Sequence, residues 1–268
     1  MTRRTKKSQS AVEPTNIATW HALAQVAVDG EQWVEAAQAL EHAAQIEPQN
    51  AELWIQIARW RRAGDDHDGA QSTLKQAIAC NSEPENLILL RLALAELQFE
   101  AQDWLSCIST CHEVLGVRPN QHFALEMLAT SLLHSDQTEV AMDVLRRLLL
   151  VSPRDPLHRL RYATLLQVQG QTGQALQEWE RIVALYPDSP FAEEAEEAIE
   201  MLDKTQIQHI LLRAAEQSSF GWQLQRDLDG VLAEHEIYLS EAGRETLRQI
   251  VWDGRPDEPT SPPTPRVH

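Results

Sequence analysis

Apolar residues recur along this chain at helical spacing, in pairs of stretches separated by a short polar or glycine-bearing turn. The pair at 17–50 sets the pattern, and its landmarks return 34 residues later. Keeping this spacing predicts five consecutive repeats, at residues 17–50, 51–84, 88–121, 122–155 and 156–189. Most repeats end at a proline, which cannot continue a helix interior. The pattern therefore predicts an all-α fold of helix-turn-helix units that stack into a solenoid.

The segments around the repeats differ from them in composition. Residues 1–16 are polar and basic without helical periodicity, which predicts a disordered arm. Residues 190–203 are rich in glutamate and open with a proline, as in a helix that caps a solenoid and completes a repeat domain at 17–203. Residues 253–268 are rich in proline, which predicts a disordered tail.

Between the cap and the tail, residues 204–252 form a separate C-terminal helical segment in this interpretation. Apolar spacing predicts helices over about 205–217, 220–235 and 241–252, the last capped by Ser240. These helices could extend the stack, fill a groove of the repeats or form a separate docking module, and the sequence leaves all three open.

Composition and charge narrow the classes of partner. The 268 residues carry a formal charge of −17, which argues against binding nucleic acid because phosphate contacts need a basic face. No charge-free apolar stretch is long enough for a membrane span, and three cysteines are too few for a disulfide framework. We therefore expect a cytoplasmic protein whose partner is another protein or a peptide.

The repeats resemble the tetratricopeptide repeat family, whose unit is a helix-turn-helix of the same length. The resemblance implies a right-handed α-solenoid. The residues that match the family pattern are Trp20, Leu23, Ala24, Ala36, Leu40, Ala43 and Pro48 in repeat 1, Leu125, Leu128, Ala129, Ala141, Leu145 and Pro153 in repeat 4, and Tyr162, Ala163, Gly170, Ala175, Trp179 and Pro187 in repeat 5. The chain departs from the family pattern at Ser82, Arg91 and Cys107.

In that family, the first helix of each repeat (helix A) lines a groove that holds peptides. The resemblance implies that three slots per repeat form such a surface here: His21, Gln25, Val28, Ile55, Arg59, Arg62, Leu92, Glu96, Phe99, Glu126, Thr130, Leu133, Leu160, Thr164 and Gln167. We call these fifteen residues the helix-A surface. It combines an apolar strip with one basic spot at Arg59 and Arg62, which suits a segment with apolar anchors and a carboxylate. Alternatively, the two arginines pair with acidic neighbours such as Asp65 or Asp66.

No arrangement in the sequence predicts catalysis, a cofactor or a metal site. Cys107, Cys111 and His112 lie close together on one helix, but structural zinc needs four ligands at a recognisable spacing. Cys107 occupies a small-residue slot and Cys111 a core slot, so both thiols should pack inside as small apolar groups. We expect a non-catalytic adaptor, since no convergent cluster of titratable residues can be assembled.

The C-terminal segment is also weakly similar to the leader-type domain of nitrile-hydratase-like leader peptides. The residues that carry this similarity are Leu211, Leu212, Ala214, Ala215, Phe220, Leu224, Asp227, Val231, Leu232 and Leu239. The similarity implies a second hypothesis, in which residues 204–252 dock a peptide-modifying enzyme in a bacterial system and the repeats carry them.

Overall fold

The computed structural model of the protein describes residues 16–253, which form fourteen helices without a strand in that range. The helices are α1 (Ile17–Asp29), α2 (Trp33–Ile46), α3 (Ala51–Ala63), α4 (His67–Cys80), α5 (Pro84–Glu100), α6 (Trp104–Val117), α7 (His122–His134), α8 (Thr138–Val151), α9 (Pro156–Val168), α10 (Thr172–Leu185), α11 (Pro190–Glu216), α12 (Ser218–Arg226), α13 (Leu228–Glu234) and α14 (Glu241–Asp253). Apart from Asn16 and Asp253, the predicted arm and tail lie outside the described residues.

The helices belong to two compact units. The N-terminal unit ends at Val151 and contains α1–α8, and the C-terminal unit begins at Ser152 and contains α9–α14. Each repeat is a helical hairpin whose second helix, helix B, has 14 residues in all five cases. Within the N-terminal unit each helix packs on the next, from α1 to α8. The predicted all-α fold of helix-turn-helix repeats is confirmed.

The five hairpin turns share one backbone conformation. The middle residue of each turn lies in the left-handed region, with φ of 56° at Glu31, 61° at Asp65, 57° at Gln102, 57° at Asp136 and 75° at Gly170. In repeat 1 the next N–H, that of Gln32, donates to the carbonyl of Ala27 at 2.8 Å, and the same bond recurs in the other four repeats. This bond ends helix A by satisfying a carbonyl that the helix leaves free.

Repeat 3 begins earlier than the sequence analysis predicts. Helix A of this repeat, α5, starts at Pro84 and runs for 17 residues, whereas helix A has 13 residues in the other repeats. The helix start lies before the predicted boundary at 88 because proline is favoured in a first helical turn. The extra turn is held by Asn86, whose side-chain amide donates to the carbonyl of Gln49 at 2.8 Å.

Small side chains allow the two helices of each hairpin to pack closely. The alanine of helix A is at most 2% exposed in every repeat, at Ala24, Ala58, Ala95, Ala129 and Ala163. The facing slot of helix B is fully buried at Ala36, Ala70, Cys107, Ala141 and Ala175. Because a larger side chain would push the helices apart, these two slots fix the geometry of the repeat.

The first repeat is less buried than its pattern suggests. Leu23 matches the family pattern, yet it is 46% exposed, whereas Ile57, its counterpart in repeat 2, is fully buried. In repeat 2 this slot is covered by the preceding hairpin, through α2 against α3. Among the described residues no hairpin precedes α1, so Leu23 remains at the surface.

The C-terminal helices differ in length from the prediction. The expected cap at 190–203 and the helix at about 205–217 are one continuous helix, α11, of 27 residues. No glycine or proline interrupts the sequence between Phe191 and Glu216, so the helix has no reason to end near 203. The helix expected over about 220–235 is instead two, α12 and α13, separated at Asp227, whose side chain caps α13 by accepting the N–H of Gly230 at 2.9 Å.

The last four helices share a core of their own, formed by Ile207, Ile210, Phe220, Leu224, Val231, Leu232, Leu239 and Leu247. A buried carboxylate fixes α14 beside this core. Asp203 of α11 accepts the N–H of Ser240 at 2.9 Å and the Ser240 hydroxyl, and Ser240 Oγ in turn accepts the N–H of Gly243 at 3.0 Å. The predicted cap at Ser240 is therefore present, and it is linked to a carboxylate of another helix.

No helix within residues 16–253 is both long and apolar enough to cross a membrane.

Candidate functional site

The helix-A surface of the N-terminal unit lies on α1, α3, α5 and α7. His21, Gln25 and Arg59 are exposed, whereas the other nine residues are half-buried: Val28, Ile55, Arg62, Leu92, Glu96, Phe99, Glu126, Thr130 and Leu133. Packing of α3 on α5, and of α5 on α7, makes these helices neighbours. Equivalent slots of consecutive repeats therefore form one surface on these three helices.

The apolar part of this surface is only partly shielded from water. Ile55, Leu92, Phe99 and Leu133 each keep an exposed fraction although they belong to three adjacent helices. Phe99 is held by Trp104, which meets it edge to face with ring centroids 5.4 Å apart, and Trp104 stacks on His134 at 4.4 Å. An aromatic side chain fixed in this way presents apolar area without losing much conformational entropy on binding.

The two arginines of the basic spot differ, because within residues 16–253 Arg62 is paired with acidic residues and Arg59 is not. One nitrogen of Arg62 lies 2.7 and 2.9 Å from the two carboxylate oxygens of Glu100, and 4.0 Å from Glu96. Arg59 is exposed and forms no ion pair with a residue in the part of the chain that the structure describes. Only Arg59 is therefore ready to receive a carboxylate from another molecule.

The alternative pairing of these arginines with Asp65 or Asp66 does not occur. Asp66 instead pairs with the intervening Arg61, at 3.5 Å, and Arg61 also donates to Glu41 on α2. Arg61 lies on a different face of the helix from the predicted slots, because one residue turns a helix by about 100°. The sequence analysis missed Glu100 as the partner of Arg62 because the two residues are in different repeats.

In the C-terminal unit, α9 carries the remaining three residues of the helix-A surface. Leu160 is only 5% exposed, so it offers little area to a ligand. Thr164 is exposed and its hydroxyl donates to the carbonyl of Leu160 at 3.0 Å, while Gln167 is exposed. The part of the predicted surface that offers the most apolar area to a ligand therefore lies on α3, α5 and α7.

The two cysteines of α6 belong to the core, as their slots predict. Cys107 and Cys111 are fully buried, with their sulfur atoms 3.9 Å apart and no disulfide, whereas His112 is exposed. The hydrogen bond with Cys107 and burial both raise the pKa of the Cys111 thiol. A thiol with a raised pKa is a poor nucleophile and a poor metal ligand near neutral pH.

The comparisons with known proteins identify the repeats. Models of the tetratricopeptide repeat match residues 27–89 and residues 159–189. The chain carries tetratricopeptide repeats. The two matches fall in different compact units, so the repeat is present on both sides of residue 151.

Solved structures share the fold at low sequence identity. MamA (residues 41 to the end) from Desulfovibrio magneticus RS-1 is 11% identical, with a TM-score of 0.54 over 66% of this chain and 98% of that chain. YrrB, described as a TPR protein with an unusual peptide-binding site, is 11% identical, with a TM-score of 0.53 over 68% and 92%. PilW, a type IV pilus biogenesis factor, is 15% identical, with a TM-score of 0.52 over 68% and 83%.

At these identities the structural similarity supports the tetratricopeptide fold alone. No curated protein is similar enough in sequence to count as a relative. A specific function for this chain must therefore be argued from its own surfaces. The resemblance of residues 206–251 to leader-type domains stays a prediction.

Proposed function

We propose that this tetratricopeptide protein is a non-catalytic adaptor that binds a peptide or helix on the helix-A surface of its N-terminal unit. The observation that carries the proposal is the apolar strip of Ile55, Leu92, Phe99 and Leu133, which stays partly exposed across three adjacent helices. Apolar anchors of a bound segment would remove this area from water, at about 25 cal/mol for each Å² that is buried. YrrB, a tetratricopeptide protein of similar fold, is described as having a peptide-binding site.

The charged residues of the helix-A surface narrow the class of ligand that it would bind. Arg59 is exposed and free of ion pairs within residues 16–253, so it is the residue that would bind a carboxylate of the ligand. Arg62 is already neutralised by Glu100, and a ligand carboxylate would have to displace that partner. We therefore expect a segment with apolar anchors spaced along it and an acidic residue beside the second repeat.

The proposal can be tested with peptides selected from a random display library on the whole protein. Binding of the selected peptides is measured by fluorescence polarisation to the wild-type chain, to Arg59→Glu and to Leu92→Glu. We expect each substitution to weaken binding at least tenfold, which corresponds to about 1.4 kcal/mol. Arg62→Ala should have a smaller effect because its charge is already paired.

Two substitutions on helix B serve as matched controls. Lys75→Glu makes the same charge change as Arg59→Glu at an exposed position of α4, and Leu105→Glu replaces an exposed leucine of α6. Neither control should alter the affinity. If the controls weaken binding as much as the two test substitutions, the peptides bind elsewhere and the helix-A surface is not the binding site.

The leader-like hypothesis for residues 204–252 rests on one further observation. Five of the ten residues that carry the similarity, Phe220, Leu224, Val231, Leu232 and Leu239, are buried in the shared core of α11–α14. A docking module needs such a core to keep its surface fixed. Failure of the full chain to bind any peptide-modifying enzyme would contradict this second function.

A further inference from the structure

A groove in the C-terminal unit is lined by residues that the repeat pattern does not single out. It is bounded by α10, α11 and α14 and has a volume of about 660 Å³. No helix-A surface residue belongs to its lining. The groove therefore offers a second binding surface that can be tested separately.

The floor of the groove is apolar. Ile207 is buried, Val183 and Ile199 are half-buried, and the alanines Ala184 of α10 and Ala242 of α14 are exposed. Small residues on the walls leave room for a side chain from outside, whereas the branched residues provide apolar contact area. A ligand that fills this groove must therefore present an apolar face.

The rim of the same groove is acidic. Glu180 of α10 and Glu196 and Glu200 of α11 are exposed, and Lys204 is the single cation of the lining. Within residues 16–253 none of the three glutamates forms an ion pair. Glu196 and Glu200 are one helical turn apart, a spacing at which like charges repel each other and destabilise a helix. A cation bound between them would remove this repulsion.

Within residues 16–253, α11 has no helix B packed on it along its first half. In each of the five repeats a 14-residue helix B packs along helix A after a three-residue turn. After α11, which packs on α10 as a sixth helix A, the chain instead continues to residue 216 before it turns. The helices that follow cover Ile207 and Ile210 in the second half of α11. Towards the N-terminus of α11 the groove stays open at Glu196, Ile199 and Glu200, of which Ile199 supplies the apolar contact.

The groove is an elongated slot, and its dimensions match a short helix. Its lining on α11 runs from Glu196 to Gln208, which is a rise of about 18 Å or three helical turns. Two cations spaced by four residues on a bound helix would lie about 6 Å apart, as Glu196 and Glu200 do.

We propose that this groove binds an amphipathic helix of a second protein, with its apolar face on Val183, Ile199 and Ala242 and basic residues facing Glu180, Glu196 and Glu200. Burial of the apolar face supplies the main favourable term, and the acidic rim selects a basic helix and rejects an acidic one. The occupant is thus distinct in charge from the acidic segment proposed for the helix-A surface.

The test uses the full chain and a synthetic stapled helix of about twelve residues, long enough to span the slot. The helix carries leucines along one face and lysines one turn apart beside them, and a second probe has glutamates in place of the lysines. Fluorescence anisotropy measures the dissociation constants. The lysine probe should bind at least tenfold more tightly than the glutamate probe. Equal affinities would overturn the proposal, as would no binding of the lysine probe.

Charge-reversal variants test whether binding of the probe depends on the groove or only on the net negative charge of the protein. The double variant Glu196→Lys with Glu200→Lys should bind the lysine probe at least tenfold more weakly than the wild type does, and it should bind the glutamate probe more tightly. The matched control, Glu193→Lys with Glu197→Lys, makes the same change on the same helix at exposed positions outside the lining, and it should leave both affinities unchanged. An equal loss in the control pair would show non-specific attraction and overturn the proposal.

Two further measurements complete the test. Ala184→Trp should fill the groove and abolish binding, whereas Ala215→Trp, at an exposed alanine of α11 outside the lining, should not. Binding that appears only when residues 1–15 are removed would assign the groove to the basic N-terminal segment of the chain itself and overturn the proposal of a second protein. Arg59→Glu and Leu92→Glu should not affect the probes, so the two binding proposals can fail separately.

Discussion

In the N-terminal unit, each hairpin meets its neighbours through the same slots, whereas α11–α14 meet through contacts that occur once. The repeats place an alanine at position eight of helix A and a small residue at position four of helix B, counted in α3 and α4 as Ala58 and Ala70. The last four helices instead pack large side chains such as Phe220 and Leu247, and they hold α14 through Asp203 and Ser240.

The two arrangements have different consequences for binding. A stack of equivalent hairpins repeats its surface as well as its core, so it produces an extended strip such as the one on α3, α5 and α7. The helices that depart from the repeat leave an open groove between α10, α11 and α14. The repeats of the N-terminal unit thus offer an extended strip, whereas the C-terminal unit offers a groove, and each surface suits a different ligand.

The largest expected effect tests whether the two cores are independent. Leu128 in the N-terminal unit and Leu247 in the C-terminal unit are both fully buried. Replacing either by alanine should lower the free energy of unfolding by about 2–5 kcal/mol, because methyl groups are lost and a cavity is left. Amide hydrogen exchange should accelerate in α5–α8 for Leu128→Ala and in α11–α14 for Leu247→Ala.

The control for both substitutions is Leu150→Ala, at a leucine that is 83% exposed, which should change stability by less than about 0.5 kcal/mol. If Leu247→Ala also accelerated exchange in α5–α8, the last four helices would stabilise the repeats and the comparison between independent cores would be wrong.

The next effect concerns the polar contact that occurs only in the irregular region. A Cβ atom on Gly243 would lie 2.3 Å from Cγ of Asp203, so Gly243→Ala forces the carboxylate and α14 apart. We expect a loss of about 1–3 kcal/mol in chemical denaturation. Asp203→Ala should cost a similar amount, because Ser240 loses its charged partner.

The double substitution sharpens this prediction. Once Asp203→Ala has removed the carboxylate, the alanine at 243 no longer meets it, so the combined loss should be smaller than the sum of the two single losses. A coupling of about 0.5–3 kcal/mol is expected for residues in contact. Additive losses would mean that Gly243 is constrained by something other than Asp203.

The parts of the molecule that the sequence could predict are those that recur. Ala24 and Ala163 are far apart in the chain, yet the same spacing places both in a buried slot, and five copies of a pattern make it visible. The position of α11 as one helix was missed because a change in composition near 203 suggested a boundary, although no residue there ends a helix.

The candidate sites were predictable only in part. The slots of Leu92 and Phe99 follow from the repeat, but the pairing of Arg62 with Glu100 depends on how α3 packs on α5. The groove of the C-terminal unit combines Glu180, Ile199 and Ala242 from three helices, two of which are not in the repeat pattern. Contacts between elements that occur once have no period from which they can be inferred.

A smaller effect compares repeats with one another at the hairpin turn. Gly170 has φ of 75°, and Gly170→Ala should lower stability by about 1–2 kcal/mol because a side chain is disfavoured in the left-handed region. Gln102 occupies the same position of repeat 3 with φ of 57°, so Gln102→Gly should raise stability by up to about 1 kcal/mol. Thermal or chemical denaturation measures both. Changes of the same sign would mean that the two turns are not equivalent.

The smallest effect tests whether a slot of the repeat accepts its usual residue. Cys107 stands at the helix B position where the other four repeats have alanine, and it is fully buried. Cys107→Ala should lower the free energy of unfolding by about 1 kcal/mol or less, since one heavy atom is lost from a site shaped for alanine. Cys80→Ala, at an exposed cysteine, is the control and should have no effect. A loss above about 2 kcal/mol would show that contacts of this sulfur, such as Cys111 at 3.9 Å, replace the packing that alanine gives elsewhere.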